Sequence, residues 1–280
     1  MKVFLTLWYR DFRRSSLVRE VVEGGFDGFE LSLDYPLCGS VRPSELGPLK
    51  QLVDSGLEMG VHLPWREVYI ASPIDAIREM SLNYVLRCLR EVRGLDIKYV
   101  VVHATTDQAV CSDNADVCIS AGLKSISAIA GVTGELGVPL YVETTRGYCC
   151  GGLEQVVNYL DRGVLVCLDV PHAVERYSRL YRKPMSLSDV LSEAPPKVLE
   201  AVDCVHLHGY TMSGYYVVDS HLEPQGTLIG EYLNILRKEI VRPNYTVLES
   251  FYSSESRKQL QFNKLRWCVD ELKKGYGRGR

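Results

Sequence analysis

The residues of this chain that could do chemistry gather at a few positions. It has only six histidines, and each stands at the end of a short apolar run or in the segment that follows one. His62 lies in GVHLPW, His103 in YVVVHATT, and His206 and His208 in VHLHGY. His172 comes three residues after the run ending in LD, and His221 lies in DSHLE. The acids fall in the same way: Glu143 closes LYVE, Asp169 closes VCLD, Glu249 closes TVLE, and Asp219 precedes His221 by two. A carboxylate or imidazole buried at such a place is costly unless it is paired or bound to a cation. Taken singly, each histidine could be a satisfied core or loop residue. Together they describe imidazole and carboxylate donors without thiolate, a set that suits zinc, manganese or iron. The spacings Asp169-x-x-His172 and Asp219-x-His221 let one turn of chain present two ligands. Carboxylates can bridge two cations, and two cations a few ångströms apart can clamp both oxygens of a displacement at phosphorus.

For these residues to meet, the runs that carry them must lie side by side and end at one rim. Eight runs rich in Val, Leu, Ile and Tyr span 3–8, 28–33, 57–63, 97–103, 139–143, 164–169, 202–208 and 245–249. Their near-continuous hydrophobicity fits strands covered on both faces, as a parallel sheet requires. Between them, 15–22, 44–53, 74–92, 117–136, 153–160, 187–201, 227–238 and 256–272 carry apolar residues three or four apart, the helical period. Eight strand–helix repeats with no linker predict one α/β domain, a closed (β/α)8 TIM barrel over 1–274, with 275–280 as a flexible tail; a doubly wound sheet is the competing arrangement. Two insertions, 173–186 and 209–226, follow the sixth and seventh strands. Barrel active sites form at that end. Glu30 and Asp34, after the second strand, are weaker site candidates.

Composition narrows the function classes. A formal net charge of -3, with 46% apolar and 24% charged residues, gives no whole-molecule field that would attract a polyanion. No secretory signal and no membrane-length apolar stretch is evident, so a cytoplasmic, non-membrane, monomeric protein is expected. The nine cysteines are scattered without a C-x-x-C pair and are expected to be reduced core residues.

The blocks VHLPW, VYIASP, VVHATT, VETT, CLDVPHA, VHLHG, DSH and LES occur in that order. With them the chain, from its third strand to its eighth, resembles endonuclease IV (AP endonuclease family 2), within the xylose-isomerase-like barrels. That resemblance implies a metal-dependent phosphodiesterase acting on abasic or damaged DNA, with up to three Zn2+ per chain or with Mn2+ or another divalent cation. It assigns His62, His103 and Glu143 to a first ion. Glu143 as a bridge, with Asp169, His206 and Glu249, would hold a second, and His172, Asp219 and His221 a third. Glu143 and Glu249 would be catalytic, and Trp65, Arg146, His208 and Arg42 would contact substrate. Sugar isomerases and epimerases of the same superfamily share only Glu143, Asp169, His206 and Glu249, often with His172, around one metal. They are the alternative, with a small sugar or sugar phosphate as substrate; a non-catalytic binding barrel is a third possibility. The chain departs from endonuclease IV where His208-Gly209 replaces an Asn-Asp type sequence, where Trp65 replaces a tyrosine, and where only Gly226 follows the Asp-x-His pair. Arg10, Arg13, Arg14, Arg42, Arg66, Arg146, Arg176, Arg179, Arg182 and Lys183 fall in loops after strands and could pair with phosphates. Trp8, Tyr35, Trp65, Tyr69, Tyr148 and Tyr181 could stack on bases.

Overall fold

A computed structural model describes residues 1–104, 110–147, 149–214 and 216–277; Tyr148 and the last three residues of the expected tail lie outside them. The eight apolar runs become parallel strands: β1 (Lys2–Leu7), β2 (Gly28–Ser32), β3 (Glu58–His62), β4 (Ile97–His103), β5 (Leu140–Glu143), β6 (Leu165–Asp169), β7 (Val202–Leu207) and β10 (Tyr245–Leu248). They close on themselves in the order β1-β10-β7-β6-β5-β4-β3-β2, so the TIM barrel is observed and the doubly wound sheet is not. Between and after them lie α1 (Leu17–Gly24), α2 (Gly47–Asp54), α3 (Asp75–Glu91), α4 (Val110–Asp113), α5 (Ala115–Leu136), α6 (Val170–Tyr181), α7 (Leu187–Ser192), α8 (Pro196–Glu200), α9 (Gly226–Arg237) and α10 (Arg266–Gly277). The outward-facing strand residues, such as Val3, Leu5, Phe29, Leu31, Val100, Val102 and Val166, are buried under these helices in the main core.

The inward face is layered, because side chains on a strand alternate with a period of two. Near the strand starts, Phe4, Tyr99, Tyr141, Cys167, Cys204 and Val247 pack into a separate apolar plug, with Tyr245 against it. Tyr99 sits at its centre, its ring 4.6 Å from Tyr245, 5.2 Å from Tyr141 and 5.9 Å from Phe4, centroid to centroid. Two strand glycines make room for these rings. A Cβ on Gly60 would come within 2.2 Å of the Tyr99 ring, and one on Gly28 within 2.5 Å of Phe4. Further along the same inward parity stand Glu30, His62, His103, Glu143, Asp169, His206 and Glu249, at the C-terminal rim. Register brings them level: Asp169 lies opposite His206, and His103 opposite Glu143.

Several sequence expectations are corrected. Segment 173–186 is mostly helix, because α6 starts at once after β6 and runs to Tyr181, leaving only 182–186 as loop. Asp169 caps α6, its carboxylate accepting the His172 N–H at 2.7 Å, with Pro171 in the first turn. Segment 209–226 holds an antiparallel hairpin of β8 (Gly209–Ser213) and β9 (Tyr216–Leu222). Segment 153–160 forms a 3-10 turn, Val156–Arg162. The helix expected over 187–201 ends at Ser192 and restarts at Pro196, and the one expected over 256–272 begins only with a 3-10 turn at Phe262 that leads into α10. Residues 275–277 of the expected tail are the last of α10. Helix α5, 22 residues with a mean hydropathy of 1.4, is long and apolar enough to cross a membrane by length and composition, contrary to the sequence reading. It packs on the barrel through Cys118, Ile126 and Ile129. Not all cysteines are reduced either: Cys111 pairs with Cys118 and Cys149 with Cys150, because the segments after β4 and β5 bring their sulfurs together. Cys38, Cys88, Cys167, Cys204 and Cys268 are free and buried.

Candidate metal centre

All nine residues assigned to metals meet at one place, the mouth of the barrel, and most of them are buried. Within each of three groups the donor atoms lie within 4.8 Å of one another: His62, His103 and Glu143; Glu143, Asp169 and His206; and His172, His208, Asp219 and His221. The first two share Glu143. Glu143 stands at the centre. Its Oε2 is 3.0 Å from His62 Nε2 and 3.2 Å from His206 Nδ1, and its Oε1 is 3.0 Å from His103 Nε2. Glu249 Oε2 faces the same His206 Nδ1 at 3.6 Å.

The imidazoles show how such a place could hold cations. His62 Nδ1 donates to the Leu63 carbonyl at 2.8 Å, which turns Nε2 toward Glu143. His172 repeats this with the Thr144 carbonyl and Asp219, and His208 with the Gly209 carbonyl and Asp169. His221 does so with the Glu249 carbonyl and Asp219. In each case a backbone carbonyl fixes the tautomer, and the remaining nitrogen confronts a carboxylate. Without a proton or a cation between them, both partners would be acceptors. His206 does the same in reverse. Its Nε2 donates to Glu30 at 3.2 Å, and its buried Nδ1 has no hydrogen-bond donor while it faces Glu143 and Glu249. Carboxylates that orient a ligating histidine from behind are a regular part of metal sites, so the donors present fit divalent metal.

Electrostatics agrees. Burial alone would raise the Glu143 carboxyl, but the His103 and His206 imidazoles outweigh it and hold it well below the usual range. Glu249 behaves likewise: burial opposes His221 and His206, which bring it down to about 2. Asp219 is held far down by His172 and His221 in spite of its burial. The imidazoles move the other way. Burial disfavours charge on His62, yet Glu143 lifts it to about 9. His172 is lifted by Asp169 and Asp219, and His221 by Glu249 and Asp219. In the metal-free protein, protons thus neutralise these carboxylates from the places where cations would do so.

Three participants were underrated or missed in the sequence. His208, expected only to contact substrate, stands among the donors of the outer group, stacked on His221 at 4.2 Å. Glu30, a weak candidate, is fully buried behind His206. Glu175 accepts the Asp219 N–H at 2.8 Å and so anchors the hairpin that carries Asp219 and His221. Its signal was its place three residues after His172, on the same face of a helix, which was invisible while that segment read as a loop.

The mouth opens into a cavity of about 550 Å³, walled by Trp8, Trp65, Phe251 and Tyr252, with Arg10, Arg66 and Arg146 among its polar groups. Trp65 stacks on His103 at 5.4 Å. Arg42 does not line it; it is exposed and pairs with Glu45 at 3.4 Å. The expected basic rim is largely engaged. Arg146 bonds Asp219, Arg179 bonds Glu175, and Arg176 is buried against Glu154. Arg66 lies over Trp8 at 4.0 Å, and Arg14 is tied to Glu20.

Residues 18–269 match the family model described as the xylose isomerase-like TIM barrel. The chain belongs to that family. The match stops short of endonuclease IV. No curated protein matches the chain. Family shape recurs in solved structures. A D-psicose 3-epimerase in the presence of D-fructose is 17% identical, with a TM-score of 0.69 over 99% of this chain and 100% of its own. A putative xylose isomerase from Rhodospirillum rubrum is 14% identical, with a TM-score of 0.74 over 98% and 99%. A Thermus thermophilus protein soaked with zinc chloride is 21% identical, with a TM-score of 0.62 over all of both chains. At these identities the likeness is one of fold.

Proposed function

We propose that this xylose isomerase-like barrel is a metal-dependent isomerase or epimerase acting on a small polyhydroxylated carbonyl compound, a sugar or sugar phosphate. One observation carries the reading. Glu143 and Glu249 approach one imidazole nitrogen, at 3.2 and 3.6 Å, from different strands at the floor of a cavity of about 550 Å³. Moving a proton on or off a carbon next to a carbonyl requires bases held beside that carbon, and both carboxyls are kept ionised by their imidazole neighbours. Glu143, Asp169, His206 and Glu249 would hold a divalent cation, whose chemistry is to polarise adjacent carbonyl and hydroxyl oxygens. Glu30 orients His206 from behind. Trp8, Trp65 and Phe251 offer apolar walls to a sugar's C–H face and exclude water from the floor. The engaged arginines leave little free charge for a DNA backbone, and the epimerases with this shape support a small substrate.

A second reading is endonuclease IV-like hydrolysis of abasic or damaged DNA. It is favoured by the group His62, His103 and Glu143 and by the four-donor group around Asp219, which a one-metal sugar enzyme leaves without use. The two readings separate in one set of assays. The first expects solvent deuterium to enter a ketose at the carbon beside its carbonyl, with epimer formation and no incision of a duplex carrying one abasic site. Incision without exchange on any ketose or ketose phosphate would overturn it in favour of the second.

A further inference from the structure

Away from the histidines, four cysteines form a second cluster. Cys111 on α4, Cys118 on α5, and Cys149 and Cys150 after β5 are all fully buried, packed together with Ala71, Ala115 and Ile119. The sulfurs of Cys111, Cys118 and Cys149 lie within 4.8 Å of one another, although they come from two separate segments. Adjacent residues ordinarily point apart, yet Cys149 and Cys150 face the same cluster. Cys150 has a φ of 81°, in the left-handed region that a side chain rarely adopts. A conformation held against its local preference needs compensation from its surroundings.

The observed sulfur pairs do not supply much. Cys111–Cys118 closes a separation of seven residues and Cys149–Cys150 a separation of one. The stabilisation from a cross-link grows with the loop it closes, so neither pair is an effective staple, and neither ties the β4 side to the β5 side. A ligand held by all four sulfurs would tie them. We propose that in the reduced protein Cys111, Cys118, Cys149 and Cys150 form a tetrathiolate site for zinc, separate from the histidine–carboxylate centre. Each disulfide is reduced to two thiols either by a dithiol, which gives two electrons and two protons and becomes a disulfide, or by a phosphine, which gives two electrons and becomes its oxide while water supplies the oxygen and the two protons. On binding, the thiols release their protons and their sulfur lone pairs go to the cation, which is borderline-soft and favours four sulfur ligands in a closed tetrahedron. The site joins the start of α5 to the segment whose Thr145, Arg146 and Gly147 line the cavity, and so would fix the position from which Arg146 reaches Asp219.

The test uses the full chain, reduced with a phosphine and loaded with cobalt(II) as a spectroscopic stand-in for zinc. The expected result is a sulfur-to-cobalt charge-transfer band that Glu143→Gln retains and that Cys111→Ser and Cys118→Ser each lose. The zinc content of those serine variants should fall by one ion per chain relative to the reduced wild type. A reduced wild type with no such band overturns the proposal, as do serine variants that keep the wild-type zinc content. So does a thiol titration showing that the pairs survive the reductant in the native state. Because the band is read on the wild type, the outcome does not depend on whether a variant folds, and it is independent of which substrate the barrel takes.

Discussion

The two layers inside this barrel are built from the same strands, one turn of the pleat or two apart, yet they are held by different forces. In the lower layer Phe4, Tyr99, Tyr141 and Tyr245 fill the barrel with apolar area and edge or tilted ring contacts. Such packing is stable with no partner from solution. In the upper layer Glu30, Glu143, Asp169, His206 and Glu249 are just as buried, but burial works against them, and only protons or cations between the donors offset it. One end of the barrel is therefore a plug that needs nothing, and the other is a receptacle that is incomplete by itself.

The comparison can be broken at its strongest point by Glu143→Gln. Because this carboxylate faces four imidazoles, those of His62, His103, His172 and His206, the substitution should lower turnover by about 10²–10⁴-fold, the range for a positioned acid–base group. It should also reduce bound divalent metal, read by elemental analysis, while leaving the plug intact. Tyr99→Ala attacks the other layer. Removing the central ring of the plug should cost about 3–5 kcal/mol of stability in a denaturant titration, with metal content unchanged in the folded protein. Metal loss there would show that the layers are not independent. Glu30→Gln should weaken metal affinity by roughly 10–100-fold, the usual effect of removing a carboxylate behind a ligating histidine, in a competitive chelator titration.

Acidity sharpens the contrast further. The folded state lifts His62 from 6.5 to about 9, so it binds that proton more tightly than the unfolded chain does. Its contribution to the stability of the metal-free protein is complete below 6.5 and is lost as pH rises through 9. The melting temperature of chelator-treated protein should fall over that window. Metal-loaded protein should move the other way, since neutral imidazoles bind cations and stabilisation by metal grows as protons leave. A metal-free melting temperature that rises from 6.5 to 9 would remove His62 from the protonated set. The smallest effect is expected from Arg42→Ala, whose side chain is 69% exposed. It should leave KM and stability unchanged within about 0.5 kcal/mol, as ordinary surface substitutions do, whereas Trp65→Ala should raise KM.

Much of this was legible because the barrel writes its rim into the chain. A titratable residue closing an apolar run is conspicuous, and His62, His103, Glu143, Asp169, His206 and Glu249 each do so. What failed to show did so for local reasons. In the sequence α6 looks like an insertion, because its start signals, Asp169 as cap and Pro171 in the first turn, also fit a ligand motif. With the helix went Glu175. The rim arginines read as a free basic face because a sequence does not show which acid each will meet; Arg146, Arg176 and Arg179 met Asp219, Glu154 and Glu175.

By itself the sequence determined the closed barrel and the set of residues at its mouth, since strand periodicity fixes which side chains share a face and where each run ends. Only the tertiary structure decided that His208 joins the outer donors, that Glu30 stands behind His206, and that four cysteines meet beside the mouth. Those are distances between segments far apart in the chain. They are set by how the strands tilt and the loops fold over them, and no local pattern encodes them.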